Sequence, residues 1–279
     1  MYTLGSSERA DLSLAVVIGA GTMGMAVARR LAQRHRLLLA DLRGSHTETQ
    51  AALLRDEGCD ASAVACDVTN PVAVAALAER VRELGGLAVL AHVAGLSPSL
   101  GDYTSIMRVN LTGVALVAEA LLPLARQGSA AILISSLAGH NFRPSDEAIA
   151  LLHQPSAPDL AERLAALIGP DAATSQMAYI YSKWGILAYA RNQAAAWGAK
   201  GARIVSLSPG LIATSMGALE FEKSPGKRAI YEKTPLGREG TMLEIADAVE
   251  FLASKRASFI SGTDLLVDGG LAGTMGAKA

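Results

Sequence analysis

Residues 16–28 read "VVIGAGTMGMAVA": an apolar run breaks at Gly19, further glycines follow at Gly21 and Gly24, and an alanine-rich helical segment continues from them. An apolar strand that passes through glycines straight into a helix is the opening half of a βαβ unit, because residues without Cβ allow the tight turn. The alternation continues along the chain. Residues 14–18, 36–40, 61–65, 88–93, 130–135, 203–207 and 264–267 read as strands, and helical patterns fill most of the gaps. This predicts a Rossmann-like α/β fold, a single doubly wound parallel sheet of about seven strands with helices on both faces.

The 279 residues suffice for one large α/β domain or two small ones; with no composition shift or low-complexity linker, residues 1–279 are read as one domain. Hydrophobic residues make up 51%, charged residues 18%, and the formal net charge is −1, which excludes a disordered chain and binding of nucleic acid by bulk charge. Small molecules are the expected partners. Cys59 and Cys66 lack CxxC spacing and a neighbouring histidine cluster, so neither metal nor disulfide is expected. The longest charge-free stretches, 12–28 and 84–101, are broken by glycine and, in the second, by Pro98; they read as buried strands entering loops, and no membrane association is expected. Glu8, Arg9 and Asp11 stand where a secretory leader would be basic, which makes a cytoplasmic enzyme the expectation.

One connection is unusually long. Roughly forty residues separate the strand "AAILISS" from a helix near Met177, against about 2–6 for an ordinary βα loop. Within it, "SDEAIALLHQ" (145–154) and "APDLAERLAALIG" (157–169) each open with a capping residue near an acidic first turn and carry apolar residues at helical spacing. They predict a helix-turn-helix insertion over 140–176, leaving the sheet at a strand's C-terminal end, where open α/β sheets bind ligands.

Gly19, Gly21, Thr22, Met23 and Gly24 stand where free N–H groups of a helix start can hold a pyrophosphate. Alone, the spacing fits a hydroxyacid dehydrogenase of the GxGxMG type equally well. Asp41, followed by Leu42, ends the second strand about twenty residues further on, where a carboxylate can accept hydrogen bonds from both adenosine ribose hydroxyls. It would repel a 2′-phosphate, which favours NAD over NADP. Arg43 acts in the opposite sense, and a strand-end cap is the plain alternative for Asp41. Asp67, followed by Val68, ends the third strand, where it can hold the adenine amino group or cap the helix near Pro71. "HVAG" (92–95) brings Ala94 and Gly95 to the end of the fourth strand, small enough for a cofactor to pass close to the backbone.

In "YIYSK", Tyr179 and Lys183 are four residues apart and share a helix face, while Tyr181 points nearly opposite. An ammonium beside a phenol favours the phenolate and lowers a pKa otherwise about 10. "ILISS" ends with Ser136, "MRVNLTG" places Asn110 in a helix, and "SLSPGLIATSM" supplies Pro209, Gly210, Ile212 and Thr214. With "ISGTDLLVDGG", these stretches closely resemble, in order and from about Leu12 to Gly270, the short-chain dehydrogenase/reductase family. The resemblance implies a nicotinamide-dependent oxidoreductase of alcohols and ketones. It makes Tyr179 the general acid/base, Lys183 its activator and a ribose ligand, Ser136 the holder of the substrate oxygen, and Asn110 the support of a proton relay. Ser136 is chosen over Ser135 because the family's serine is usually the second of the pair.

Three features depart from the family pattern. The glycine loop is shortened, His92 and Val93 replace two asparagines, and the serine-to-tyrosine spacing is 43 residues (179 − 136). His92 is read as a structural residue at a strand end or as an altered cofactor contact. Ile149, Leu151, Leu152, Leu160, Leu164, Leu167 and Ile168 line apolar stripes in the insertion, and two readings stand: a lid over a hydrophobic alicyclic, terpenoid or steroid-like substrate, or simple packing of the hairpin onto the domain. Met216, Leu219 and Phe221 fall where the family's substrate loop lies. The resemblance implies a homo-oligomer, dimer or tetramer, with the family's four-helix contact at the Tyr179 helix altered or blocked by the insertion. The competing functions are reduction of 3-oxoacyl thioesters and non-catalytic nucleotide-binding regulation.

Overall fold

The computed structural model describes residues 12–213 and 230–275. Among the described residues seven strands form one sheet: β1 (Leu14–Ile18), β2 (Arg36–Asp41), β3 (Ala61–Ala65), β4 (Leu87–His92), β5 (Ala125–Ile134), β6 (Arg203–Pro209) and β7 (Asp264–Val267). Their order is β3-β2-β1-β4-β5-β6-β7 and every pairing is parallel. The chain direction across the sheet reverses between β1 and β4, which opens a crevice at the carboxyl ends of those strands.

The described helices are α1 (Thr22–Leu31), α2 (Gly44–Asp56), α3 (Pro71–Glu83), α4 (Tyr103–Met107), α5 (Gly113–Leu121), α6 (Asp146–Leu152), α7 (Leu160–Ile168), α8 (Ser175–Gly198), α9 (Met242–Ala253) and α10 (Leu271–Met275). Every residue of β1 is buried, as a strand covered on both faces requires. Its side chains alternate between two cores. Val16 and Ile18 join α3, α4, α5 and α8 on one face, while Ala15 and Val17 join α1, α2 and α9 on the other. The one described helical run long and apolar enough to cross a membrane, Tyr103–Leu124, packs Ile106, Met107, Leu111 and Val114 into the first core.

β5 starts earlier than its apolar run suggests. Leu87 pairs with Ala125, the register then shifts, and exposed Arg126, Gln127 and Gly128 (φ +85°) form an irregular stretch before regular pairing resumes at Ala130. Ser129 secures it, accepting from Arg126 N at 2.9 Å and donating to Leu87 O at 2.6 Å.

The insertion is a helical hairpin. Ser145 caps α6 by accepting from Ala148 N at 3.2 Å, and Thr174 caps α8 by accepting from Met177 N at 3.2 Å. Leu152, Leu160 and Leu164 are buried in the core with Ile106 and Met107, and Arg108 pairs with Glu162 at 2.7 Å. The hairpin flanks α4, where its apolar stripes find a partner. Of the insertion, only Asn141 and Gln176 reach the cleft among the described residues.

Candidate active site

A cleft of about 830 Å³ lies at the crevice between β1 and β4 and extends to the ends of β5 and β6. Gly19, Gly21, Thr22, Met23 and Gly24 line one end. Two of these glycines are required by the turn itself. Gly19 has φ +100°, and a Cβ there would lie 2.7 Å from Ala94 N; a Cβ on Gly24 would lie 1.8 Å from Gly19 O. Gly21 differs, since a Cβ there would meet nothing within 4 Å. It precedes α1 without a side-chain cap, so the helix's first N–H groups face the cleft. These features fit a pyrophosphate at this end.

Asp41 and Leu42 line the same end, with Arg43 beside them. Asp41 Oδ2 accepts from Ala20 N at 2.8 Å, which ties the end of β2 to the glycine turn. A carboxylate offers about four lone-pair sites, so capacity for two ribose hydroxyls remains. Asp67 and Val68 also line the cleft. Asp67 does not cap α3; its Oδ1 accepts from Thr69 N and Oγ1 at 2.9 and 2.7 Å, and Asn70 caps the helix by accepting from Val72 N at 2.9 Å.

Tyr179, Lys183 and Ser136 line the other end, near Pro209, Gly210 and Ile212. Thr214, Met216, Leu219 and Phe221 lie outside the described residues. Tyr181 is buried on the far side of α8 and meets Phe142 edge-on at 4.8 Å, leaving Tyr179 to the cleft. Lys183 Nζ donates to Ile134 O at 3.0 Å and sits 5.6 Å from the centre of the Tyr179 ring. Burial lowers the Lys183 pKa to about 8. The two serines separate by orientation. Buried Ser135 donates to Lys183 O at 2.8 Å, whereas half-buried Ser136 keeps its hydroxyl at the cleft, accepting from Ala138 N at 3.2 Å.

Asn110 is fully buried in a π-helical turn, Arg108–Thr112, that joins α4 to α5. Such a turn leaves the α-helical ladder locally and recurs at functional sites. Its side chain braces the neighbouring strand end: Nδ2 donates to Leu96 O at 2.9 Å and Oδ1 accepts from Leu96 N at 2.7 Å. Ala94 and Gly95 run past it, and a Cβ on Gly95 would lie 3.3 Å from Asn110 Oδ1 and 3.6 Å from Lys183 Nζ. His92 is buried on the core side of β4, not in the cleft wall. Burial, and then the Lys183 charge, push its pKa down to about 3, so the imidazole is neutral.

The sequence reading missed several walls of the cleft. Leu96, Pro98, Leu137, Ile230 and Met275 make much of it apolar, and Asn141 and Gln176 add amides. Only the insertion residues carried a signal, their position beside Ser136 and Tyr179.

The fold and the cleft define a dinucleotide-binding α/β protein of the oxidoreductase type. A family model described as enoyl-(acyl carrier protein) reductase matches residues 19–153 and 163–272. The chain belongs to the short-chain dehydrogenase/reductase family, and its cofactor is a nicotinamide dinucleotide. It is 30% identical to D-threitol dehydrogenase of Mycolicibacterium smegmatis over 94% of each chain. It is 29% identical to cis-4-hydroxycyclohexanecarboxylate dehydrogenase of Sinomonas cyclohexanicum, covering 92% of this chain and 95% of that one. The crystal structure of gox2181 superposes with a TM-score of 0.76 at 27% identity, over 95% of this chain and 98% of that one. The protein is therefore an oxidoreductase acting on CH–OH groups.

Proposed function

We propose that the protein exchanges hydride between NAD and a secondary alcohol, or its ketone, carried on an apolar alicyclic skeleton such as a cyclohexanol, terpenoid or steroid. The observation that carries this reading is the meeting of Tyr179, Lys183 and Ser136 with the glycine turn in one cleft. Asp41, with acceptor capacity left beyond its bonds from Ala20 N and Arg43 N, supports NAD over NADP through the ribose hydroxyls. The apolar walls at Leu96, Pro98, Leu137, Ile230 and Met275 support an apolar skeleton, and the relative acting on a hydroxycyclohexane acid is consistent with it.

The bound nicotinamide supplies the hydride acceptor or donor. Ser136 donates a hydrogen bond to the substrate oxygen, and the Tyr179 phenolate takes the hydroxyl proton as the C–H bond yields its electron pair. Reduction reverses these steps, with Tyr179 returning the proton. Lys183 favours the phenolate by its positive charge, and that charge is lost as pH rises through about 8. Gly19, Gly21 and the start of α1 orient the pyrophosphate, which sets the two reactants in place.

The test is a titration with NAD and NADP followed by initial rates on cis-4-hydroxycyclohexanecarboxylate, cyclohexanol, D-threitol and an acetoacetyl thioester. The expected result is oxidation of the cyclic alcohols with a preference for NAD of about tenfold or more, the value of one or two hydrogen bonds to a charged group. Preference for NADP, or turnover confined to the thioester or to threitol, would overturn the assignment.

A further inference from the structure

The loop after Ser136 is held from two sides. On one side Gly139 abuts α8, where a Cβ would lie 2.8 Å from Lys183 C and 2.9 Å from Trp184 N. On the other, His140 Nε2 lies 2.9 Å from Asp264 Oδ2 and 3.2 Å from Ser208 Oγ, and Ser208 donates to Asp264 Oδ1 at 3.0 Å. The Asp264 side chain is 5% exposed and Ser208 is fully buried. A carboxylate so buried requires donors, and these two side chains supply them. The three residues come from three separate segments: the loop after β5, the end of β6 and the start of β7. Ser208 directly precedes the Pro209–Gly210 turn that lines the cleft, and Asn141, next to His140, lines the cleft from the other side.

Ser208, His140 and Asp264 do not form a nucleophilic triad. Ser208 is closed off from the cleft and spends its proton on the carboxylate directly, leaving no hydroxyl for the imidazole to activate. What the cluster does is join the loop of Ser136 to the turn at Pro209 through one buried anchor. We infer that His140 is a positioning residue: its bridge to Asp264 and Ser208 fixes the Ser136 hydroxyl relative to the cofactor turn at Pro209–Gly210. The inference rests on the roles proposed above for Ser136 and the cleft.

The test compares wild type with His140→Ala, His140→Gln and Ser208→Ala in the full chain. Rates are measured with NAD and cis-4-hydroxycyclohexanecarboxylate or D-threitol, NADH binding by fluorescence, and amide hydrogen exchange over residues 133–144 and 203–212. H140A is expected to lower kcat by about tenfold or more, as misplacement of a reacting group does, and to change NADH affinity and KM by less than about threefold. Exchange at residues 137–141 should quicken in H140A. H140Q keeps a donor toward Asp264 and should recover kcat to within about threefold of wild type, while S208A, which loses one of the bonds, should fall by about two- to fivefold. If H140A does not fold, H140Q and S208A carry the comparison. The inference is overturned by a kcat for H140A within about twofold of wild type, by equal impairment of H140Q and H140A, or by unchanged exchange. Tyr179→Phe, run alongside, separates the two levels: full turnover by that variant refutes the underlying reading, whereas wild-type behaviour of H140A beside an inactive Tyr179→Phe refutes the His140 inference alone. The exchange measurement needs no turnover.

Discussion

Replacing His92 by leucine should remove part of the protein's sensitivity to acid. In the folded chain His92 is buried at the end of β4, and burial together with the Lys183 charge pushes its pKa down to about 3, against 6.5 for a free imidazole. Below pH 6.5 the unfolded chain binds a proton that the folded chain refuses, so stability is lost as pH falls from 6.5 toward 3. At pH 5 the gap to the free value of 6.5 is one and a half pH units, and at about 1.4 kcal/mol per unit the loss is about 2 kcal/mol. At pH 7.5 it vanishes. Urea unfolding of wild type and His92→Leu at pH 7.5 and pH 5 isolates this contribution, because other titrating groups are common to both proteins and cancel in the double difference. Wild type should lose about 2 kcal/mol more than the variant over that interval. Equal losses, within about 0.5 kcal/mol, would show that His92 charges without penalty and that its reading as a neutral core residue is mistaken.

Other expectations concern the cleft. Asp41→Ala should weaken NAD binding by about tenfold or more, from loss of charge-assisted bonds to the ribose, while NADP binding is unchanged or improved; parallel fluorescence titrations check it, and an equal loss for both cofactors would contradict the ribose role. Gly95→Val forces a side chain between Asn110 Oδ1 and Lys183 Nζ, where even a Cβ would lie 3.3 and 3.6 Å from them. Its kcat should fall by about a hundredfold, and a variant that turns over at the wild-type rate would show that this approach is not tight. The two serines should part company. Ser136→Ala is expected to lower kcat by about a hundredfold, whereas Ser135→Ala, which loses its bond to Lys183 O, should cost about 1 kcal/mol in unfolding free energy and spare kcat within a few-fold.

The parts of the fold legible in the sequence are those encoded by local pattern. β1, its glycine turn and α1 are adjacent in the chain, and a positive φ at Gly19 is the kind of requirement that a single residue type announces. β3 and β7 lie where their apolar runs place them. Asn110 is visible as a motif member, but its hydrogen bonds to the Leu96 backbone, fourteen residues away, and the π-helical turn that carries it have no local signal. The early start of β5 was hidden because Arg126, Gln127 and Gly128 break the apolar pattern while Ala125 still pairs with Leu87. The hairpin's two helices could be read from Ser145 and the apolar spacing, whereas the surface they cover could not, since it belongs to α4 and the following turn. His140 carried no local signal at all: its partner Asp264 is 124 residues away and meets it only because β5, β6 and β7 lie side by side.

The role proposed for Tyr179 is that of proton donor and acceptor in a nicotinamide-dependent alcohol oxidoreductase. Its most direct test is the rate of NADH formation by Tyr179→Phe on the best cyclic alcohol of the panel, with NADH affinity measured on the same preparation. The expected result is a fall in kcat of about a hundredfold or more, the contribution of a general acid/base, with NADH affinity within about threefold of wild type. Turnover surviving within about tenfold would contradict it.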